Sequence, residues 1–380
     1  MRICSDQHLA YCTNVHPGGN WEETFHSLNE YTLKIKEKVS KDEPFAIGLR
    51  LSQQSALELQ KDSVLSQFRQ WMDKHNCYVF TINGFPYGDF NQGVVKEDVY
   101  RPDWSSTDRL TYTKNLFDIL STILPSGVSG SVSTLPGSFK EFPNDANAIN
   151  LINKNLIECH QHIVSLKEKQ GQDLHLGLEP EPLGLFETTE ETVQFLQRLF
   201  DDAGSKEIQS TIGVNYDTCH LAVEFEEATD AFQKLKAANI RVSKIHLSSA
   251  LRIKISDSAP TQLSPYIEPR YLHQVIAKDD TGNITRYKDL DLALNQFSKT
   301  NQHDEWRIHY HVPLFMSPEP PLLDTRDHVI DTIQLLKSNK IDCQHLEMET
   351  YTWDVLPSEI KPNSVIDQIA KEYEWVLKQF

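Results

Sequence analysis

The stretch DLHLGLEPEPLGLFETTEE, residues 173–191, is the clearest guide to the architecture of this chain. Its first part, Asp173–Glu181, is a short apolar run that ends in acids and prolines, which is typical of a buried strand. Thr188 precedes Glu191 by three positions, the spacing of a capping box that opens a helix. The segment therefore predicts a buried strand that leads through a polar turn into a helix.

The same unit recurs along the chain, where apolar runs of strand length alternate with amphipathic runs of helix length. Parallel strands joined by right-handed helical crossovers can close into a barrel. A doubly wound sheet is the alternative, but it usually has a Gly-rich first turn, and no Gly-x-Gly-x-x-Gly follows the first strand. The pattern favours an α/β fold, a (β/α)8 TIM barrel. The eight predicted strands are Leu9–His16, Phe45–Leu51, Cys77–Gly84, Val128–Thr134, Asp173–Glu181, Thr211–Asp217, Ile240–Ser248 and Ile341–Glu349.

One segment interrupts the alternation between strands seven and eight. Residues 250–315 contain a predicted hairpin, Tyr271–Tyr287, that turns at Asp-Asp-Thr-Gly, and a predicted helix near Asp289–Ser298. They also contain a strand-like run, Trp306–Phe315, which is open to a second interpretation as a barrel strand. No linker or shift in composition divides the chain, so we expect a single domain over residues 1–380 with this insertion.

The composition excludes several classes of function. The 380 residues carry a formal charge of −17 and no Lys/Arg-rich run, which argues against nucleic acid as a partner. No stretch approaches the roughly 18 apolar residues that span a membrane, and the N-terminal segment lacks the apolar core of a signal peptide. The six cysteines are scattered without a Cys-x-x-Cys pair, so neither a thiolate zinc site nor a disulfide framework is indicated. We expect a cytoplasmic protein.

Acids or an imidazole end four consecutive predicted strands, on the face of a barrel that carries function. Each residue alone has an ordinary interpretation: Asp217 could cap the following helix, and His246 could be a satisfied core histidine. Buried carboxylates must be paired or metal-bound, and four of them at one rim would repel one another without a cation. Carboxylates with one imidazole suit Mn²⁺, Mg²⁺ or Zn²⁺, so a divalent metal site is predicted. The strand ends are Glu179-Pro180-Glu181, Asp217-Thr218-Cys219-His220, His246 and Glu347-Met348-Glu349.

The runs GLEPEPLG, YDTCH and KIHL resemble the ligand motifs of the xylose isomerase-like TIM-barrel superfamily of sugar isomerases and epimerases. The resemblance implies that Glu179, Asp217 and His246 bind the metal, and that His220 contacts substrate or supports a ligand. The fourth ligand comes from LEMETY, where Glu347 and Glu349 share one strand face. Glu349 is favoured because it lies nearer the rim.

At two places the sequence departs from the residues typical of that superfamily, and these departures narrow the range of expected functions. Glu181 stands where xylose isomerases proper carry a lysine that assists hydrogen transfer, which argues against an aldose–ketose hydride shift. The endonuclease branch uses histidines from strands two and three, and FAIGLRLS and CYVFTING contain none. A DNA-repair role is therefore not expected.

A more specific resemblance rests on six segments in order: AYCTNVHPG, GLRLS, FTINGFPYGDF, VYRPDW, STLPGS and LEMETYTWDVLP. Together they resemble the EboE family of bacterial metabolite-traffic proteins. That resemblance implies a metabolite-traffic pathway and partner proteins within it, but no particular reaction.

Further residues near the predicted rim are candidates for substrate binding. Arg50 could bind a carboxylate or phosphate through its guanidinium fork, and Phe85 belongs to an aromatic loop that could act as a lid. His309 and His311 alternate and therefore share a face. The full set of substrate-binding candidates is His16, Arg50, Asn83, Phe85, Glu181, His309 and His311.

The leading functional hypothesis is a metal-dependent isomerase or epimerase that acts on a small polyhydroxylated or carbonyl compound. By resemblance to the epimerases, Glu179 and Glu349 would act as base and acid on either side of the substrate, with His220 as an orienting group. Two alternatives stay open. One is a non-catalytic metabolite-binding and traffic protein, and the other is a metal-dependent hydrolase or dehydratase.

Overall fold

A computed structural model describes residues 1–4, 6–89, 95–297, 304–358 and 361–380. Eight parallel strands form one sheet in the order β1-β13-β7-β6-β5-β4-β3-β2. A parallel bridge between Cys12 and Gly48 joins its two edges, so the sheet closes into the predicted (β/α)8 barrel. Its strands are β1 (His8–Tyr11), β2 (Phe45–Arg50), β3 (Cys77–Asn83), β4 (Gly130–Thr134), β5 (Leu174–Leu178), β6 (Ile212–Asp217), β7 (Val242–Leu247) and β13 (His345–Met348).

Helices cover the outside of the barrel and bury the apolar faces of the strands. The helices are α1 (Trp21–Ser27), α2 (Leu33–Val39), α3 (Gln53–Leu59), α4 (Asp62–His75), α5 (Thr107–Ile123), α6 (Ala146–Gln170), α7 (Thr189–Ala203), α8 (Ile208–Thr211), α9 (Thr218–Val223), α10 (Ala228–Ala237), α11 (Ala259–Leu263), α12 (Leu290–Asn295), α13 (Arg326–Lys337) and α14 (Val365–Gln379). The predicted capping box of Thr188 and Glu191 opens α7. Within the described ranges, no helix is both long and apolar enough to cross a membrane.

The chain between β7 and β13 forms a second sheet. Its five strands are antiparallel, in the order β10-β9-β11-β8-β12, and they enclose a small apolar core of their own around Trp306 and Ile253. The predicted hairpin is present as the pair β9–β10. The strands of this sheet are β8 (Ala250–Lys254), β9 (Val275–Lys278), β10 (Ile284–Tyr287), β11 (Glu305–His311) and β12 (Leu322–Asp324).

The structure corrects three sequence predictions. The interpretation of Trp306–Phe315 as a barrel strand is wrong, because β11 pairs with β8 and β9 of the second sheet. The insertion also reaches beyond residue 315, since β12 ends at Asp324. The first strand ends at Tyr11 rather than His16, because a 3-10 turn takes Thr13–Val15. The tip of the loop after β3, residues 90–94, and the predicted helix end at Ser298 lie outside the described residues.

One glycine is required by the interior of the barrel. A Cβ at Gly48 on β2 would collide with the carboxylate of Glu347 on β13 and with the Tyr11 carbonyl. The barrel interior thus accommodates a buried acid where a side chain from β2 would otherwise stand.

Candidate metal centre

Four buried side chains meet at the carboxyl ends of neighbouring strands. Each offers one ligand atom, and these atoms all lie within 4.8 Å of one another. The strand register brings them together, because Asp217 pairs with His246 across β6 and β7 and Glu179 and Glu349 directly follow β5 and β13. The four residues are Glu179, Asp217, His246 and Glu349.

His246 stands at the centre of this group, and the carboxylate of Glu347 orients its ring from the side opposite the other acids. Its Nε2 lies 2.9 Å from Glu347 Oε2, and that same oxygen accepts a 2.6 Å hydrogen bond from Lys244 Nζ. Its Nδ1 lies 2.9 Å from Glu179 Oε1 and 3.1 Å from Glu349 Oε2. A carboxylate on one ring nitrogen fixes the tautomer and leaves the other nitrogen as a ligand atom.

Glu347 and Glu349 therefore occupy different places. Glu347 is paired with His246 in the register of β13 and β7, and it lies on the side of the ring away from the other three acids. Glu349 is one level higher, and its Oε1 accepts hydrogen bonds from Asn14 Nδ2 at 2.8 Å and Asn83 Nδ2 at 3.2 Å. These two amides hold the Glu349 carboxylate with Oε2 toward His246.

The two carboxylate oxygens of Asp217 have different surroundings. Its Oδ1 accepts hydrogen bonds from the backbone N–H groups of Cys219 and His220, at 2.7 and 3.1 Å, and so caps α9. Its Oδ2 is buried and has no hydrogen-bond partner among the described residues. Such an oxygen is costly to bury without a compensating charge, so Asp217 presents an atom suited to a cation.

The electrostatics of the group follow from burial and close packing. Burial opposes the change, but Glu349 and Glu179 outweigh it and raise the pKa of His246 well above its usual value. Burial also opposes ionisation of Asp217, yet His220 and His246 hold the pKa of Asp217 well below its usual value. Asp217 thus stays ionised, and in the absence of a cation the His246 ring carries the positive charge between the acids.

A cavity adjoins the four residues, and Glu179 and Glu349 line it. The loop after β3 contributes Phe85 and Pro86, the 3-10 turn Lys96–Tyr100 contributes Tyr100, and the insertion contributes Tyr271. Lys96 Nζ fastens the turn to the insertion through Asp289 Oδ2 at 2.5 Å and the Tyr271 carbonyl at 2.6 Å. Two elements from different parts of the chain therefore form one roof.

Glu181 and three histidines line or adjoin this cavity. Glu181, His220 and His309 are lining residues, and His311 donates from Nδ1 to the Glu349 carbonyl at 2.7 Å. Burial raises the pKa of Glu181 to about 8, with Glu179 adding to the shift and His220 opposing it. In the absence of a cation, this carboxyl is therefore largely protonated at neutral pH.

Two candidates from the sequence lie away from the cavity. The His16 ring stacks on Tyr31 with a centroid distance of 4.4 Å and contacts the Tyr11 hydroxyl. The Arg50 guanidinium donates to the carbonyls of Gly18 and Pro86 at 2.9 and 3.1 Å. Arg50 thus holds two loops together instead of facing the cavity. Asn83 lies below the cavity, where it supports Glu349.

Several residues of the site were missed in the sequence. Asn14 supports Glu349 and lines the cavity. Its position could have indicated this role, because it lies two residues before His16, the candidate that was selected after the first strand. Lys244 lies two residues before His246 on β7, so the period of two predicts that both point inward. Gln274 and Tyr351 carried no local signal, because they reach the cavity only through the insertion and the turn after β13.

The donor set fits a divalent cation. Three carboxylates and one imidazole nitrogen converge on one point, and the Asp217 Oδ2 that belongs to this group accepts no hydrogen bond from the described residues. Hard or borderline ions such as Mn²⁺, Mg²⁺ and Zn²⁺ accept such donors. The arrangement can hold a divalent metal, and its ligands suit all three of these ions.

Comparison with known proteins gives the fold. No family model and no curated protein matches the sequence. A xylose isomerase domain protein from Alicyclobacillus acidocaldarius has a TM-score of 0.50 at 9% identity, over 98% of this chain and 97% of that chain. D-Psicose 3-epimerase with D-tagatose from Clostridium cellulolyticum H10 gives 0.49 at 10% identity, over 98% and 97%. A zinc-binding IOLI protein gives 0.49 at 11% identity, over 98% and 97%. At such low identity, the likeness to the first of these structures shows the TIM-barrel fold alone.

Proposed function

We propose that this protein is a divalent-metal-dependent isomerase or epimerase that acts on a small polyhydroxylated or carbonyl compound. The observation that supports the proposal most strongly is the convergence of Glu179, Asp217, His246 and Glu349 beneath a roofed cavity. In this proposal, these four residues bind Mn²⁺, Mg²⁺ or Zn²⁺. The bound metal would hold substrate oxygens and polarise a carbonyl as a Lewis acid.

The residues around the metal would move the proton. Abstraction of a proton next to a carbonyl requires a base on one face and an acid on the other. Glu179 and Glu349 come from β5 and β13, which lie on either side of β6 and β7 in the sheet order. Their separation in the sheet supports the proposal that the two carboxylates exchange a proton with opposite faces of a substrate.

Other side chains would bind and enclose the substrate. His220 and His309 line the cavity and offer polar contacts to substrate hydroxyls, and Phe85 and Tyr271 supply apolar walls that exclude water. Exclusion of water strengthens the interactions of the charged groups inside. The resemblance to the EboE family suggests, as a hypothesis, a cytoplasmic reaction within a metabolite-traffic pathway that has partner proteins.

The test is hydrogen exchange at carbon. The full-length protein, loaded with Mn²⁺, Mg²⁺ or Zn²⁺, is incubated in D₂O with a panel of ketoses and aldoses, and loss of the C–H signal is followed by NMR. We expect exchange with wild type and none with Glu349→Gln that retains its metal. Glu226→Gln provides a matched control, because Glu226 is partly buried on the loop after α9 and caps Thr189. Exchange at the wild-type rate in Glu349→Gln would remove Glu349 from this role.

A further inference from the structure

The roof of the cavity is mainly apolar. It comes from the loop after β3, the 3-10 turn, the insertion and the turn after β13, whereas the barrel strands end in the carboxylates Glu179 and Glu349. Gln274 and His309 are polar members of this lining, and they are hydrogen-bonded to each other at 2.8 Å. A molecule that reaches the carboxylates therefore meets largely apolar side chains with the rest of its surface. These include Phe85, Pro86, Val99, Tyr271, Leu272 and Tyr351.

Two pairs of aromatic rings border the cavity from different parts of the chain. Phe85 and Tyr100 have a centroid distance of 5.7 Å, and Tyr271 and Tyr351 meet edge to face at 5.2 Å. All four rings line the cavity. Aromatic rings offer a large apolar surface and pair favourably with other rings. A polyol placed against them would leave buried hydroxyls without hydrogen-bond partners, which is costly.

The cavity presents no free cation within the described ranges. Lys96 is the one lysine or arginine of its described lining, and the Lys96 amine is engaged by Asp289 Oδ2 and the Tyr271 carbonyl. Residues 90–94, outside the described ranges, contain no lysine or arginine. Arg50 is held by loop carbonyls. Phosphates and carboxylates are usually bound by such cations, so this lining disfavours an anionic substrate.

We propose that the substrate is an uncharged α-hydroxy ketone with an apolar or aromatic body. Its two oxygens would face the metal centre, and its body would pack against the aromatic roof. The inference rests on the proposed function and narrows its substrate class. In the reaction, the C–H bond of the hydroxyl-bearing carbon breaks, its proton passes to a carboxylate and its electron pair moves toward the carbonyl. Return of a proton restores a C–H bond, so no oxidant or reductant is required.

The experiment compares three ketones that share one reacting end. 2-Hydroxyacetophenone, dihydroxyacetone and dihydroxyacetone phosphate all carry a hydroxymethyl ketone, and they differ in an apolar, a polar and an anionic body. Exchange of the hydroxymethyl hydrogens in D₂O is followed by NMR with full-length protein loaded with Mg²⁺ or Zn²⁺. Each kcat/KM is divided by the uncatalysed rate of the same ketone. We expect the aromatic ketone to exceed dihydroxyacetone by roughly 10-fold or more, and the phosphate to be slowest.

Two variants alter the roof in opposite ways. Phe85→Ala removes an aromatic wall and should reduce the preference for the aromatic ketone over dihydroxyacetone. Val99→Lys adds a cation to the lining and should raise exchange of the phosphate relative to dihydroxyacetone. Val193→Lys is the matched control, because Val193 is a half-buried valine on α7, outside the cavity. It should keep the wild-type preferences, and circular dichroism checks that each variant is folded.

Binding gives a readout that does not require turnover. Saturation-transfer NMR with metal-free protein should detect 2-hydroxyacetophenone and show loss of its signal in Phe85→Ala. Equal exchange of the three ketones, or fastest exchange of the phosphate or dihydroxyacetone, would overturn the substrate class and leave the proposed function supported. Absence of exchange with all three would contradict the proposed function. Binding alone would then decide the class: preference for the aromatic ketone would support it, and preference for another ketone or no binding would overturn it.

Discussion

At the scale of single residues, the two glutamates of the last barrel strand have different surroundings. Glu349 faces Glu179 and Asp217 across His246 Nδ1, whereas Glu347 contacts His246 Nε2 and Lys244. The neighbouring Lys244 and His246 outweigh burial and hold the pKa of Glu347 at about 2. The structure therefore supports Glu349 as a ligand and Glu347 as the group that orients the histidine.

Substitution of these glutamates should give unequal losses of metal affinity. We expect Glu347→Gln to weaken metal binding by about 10- to 100-fold, because it loosens the orientation of His246 without removing a ligand. Glu349→Gln should weaken binding further, since it removes a ligand carboxylate. Titration of the apo-protein with Mn²⁺ or Zn²⁺ measures both. A larger loss in Glu347→Gln than in Glu349→Gln would reverse the two roles.

A second prediction concerns a buried acid outside the cavity. Glu372 on α14 accepts a hydrogen bond from Leu314 N at 3.3 Å, and burial raises the pKa of Glu372 to about 8. Because this value lies above that of an unfolded glutamate, about 4.3, protonation favours the folded chain. The stabilisation is fully present below about pH 4 and is lost as the pH rises through about 8.

Glu372→Gln should remove this dependence. Between about pH 5 and pH 9, we expect the free energy of unfolding of wild type to fall relative to the variant by ~2–4 kcal/mol, since one pKa unit corresponds to about 1.4 kcal/mol. Urea unfolding at the two pH values measures the difference. Glu374→Gln, an exposed position on the same helix, serves as control. Parallel pH profiles for wild type and Glu372→Gln would contradict the prediction.

At the scale of elements, the roof of the cavity depends on contacts between the loop after β3 and the insertion. The backbone N–H groups of Val95 and Lys96 donate to the Arg270 carbonyl at 3.0 and 3.1 Å. Lys96 adds its ion pair with Asp289, in which both side chains are partly buried. A partly buried pair with additional carbonyl contacts should contribute more than an exposed one.

Lys96→Ala should therefore loosen the roof and leave the barrel intact. We expect faster amide hydrogen exchange in residues 95–100 and 268–274, with little change in the barrel strands, because local openings report local contacts. Hydrogen exchange followed by mass spectrometry measures this. Lys38→Ala removes an exposed pair with Asp367 and is the control. Unchanged exchange in both segments would show that the lysine does not hold the roof.

At the scale of the whole molecule, the centre ties distant parts of the barrel together. The four residues come from β5, β6, β7 and the end of β13, and their supports Asn14 and Asn83 come from the ends of β1 and β3. A cation bound there would offset the repulsion of three buried carboxylates. Ligands that bind only the folded state also stabilise it by mass action.

Removal of the metal should therefore lower thermal stability. We expect a chelator to lower the Tm of the metal-loaded protein by several degrees, since metal at about 100 times its Kd contributes roughly 2.7 kcal/mol. Differential scanning fluorimetry with and without the chelator measures the shift, and Glu179→Gln should respond less. An unchanged Tm in wild type, with metal loss verified separately, would contradict a stabilising cation.

The sequence by itself determined the alternation of strands and helices and the polar residues that end each strand. These features are local, because the periodicity of apolar residues and the caps depend on neighbours within a few positions. For this reason, the sequence alone was enough to predict Glu179, Asp217 and His246 as site residues. It was also enough to predict the capping box at Thr188 and the hairpin of the insertion.

Only the tertiary structure decided which of these residues meet. The register of β13 on β7 places Glu347 beside His246 and raises Glu349 to the rim, and the antiparallel sheet brings His309 to His220 from a distant part of the chain. The same packing turns His16 and Arg50 away from the cavity. Contacts between residues far apart in sequence depend on strand register and on loop packing, and no local pattern encodes either of them.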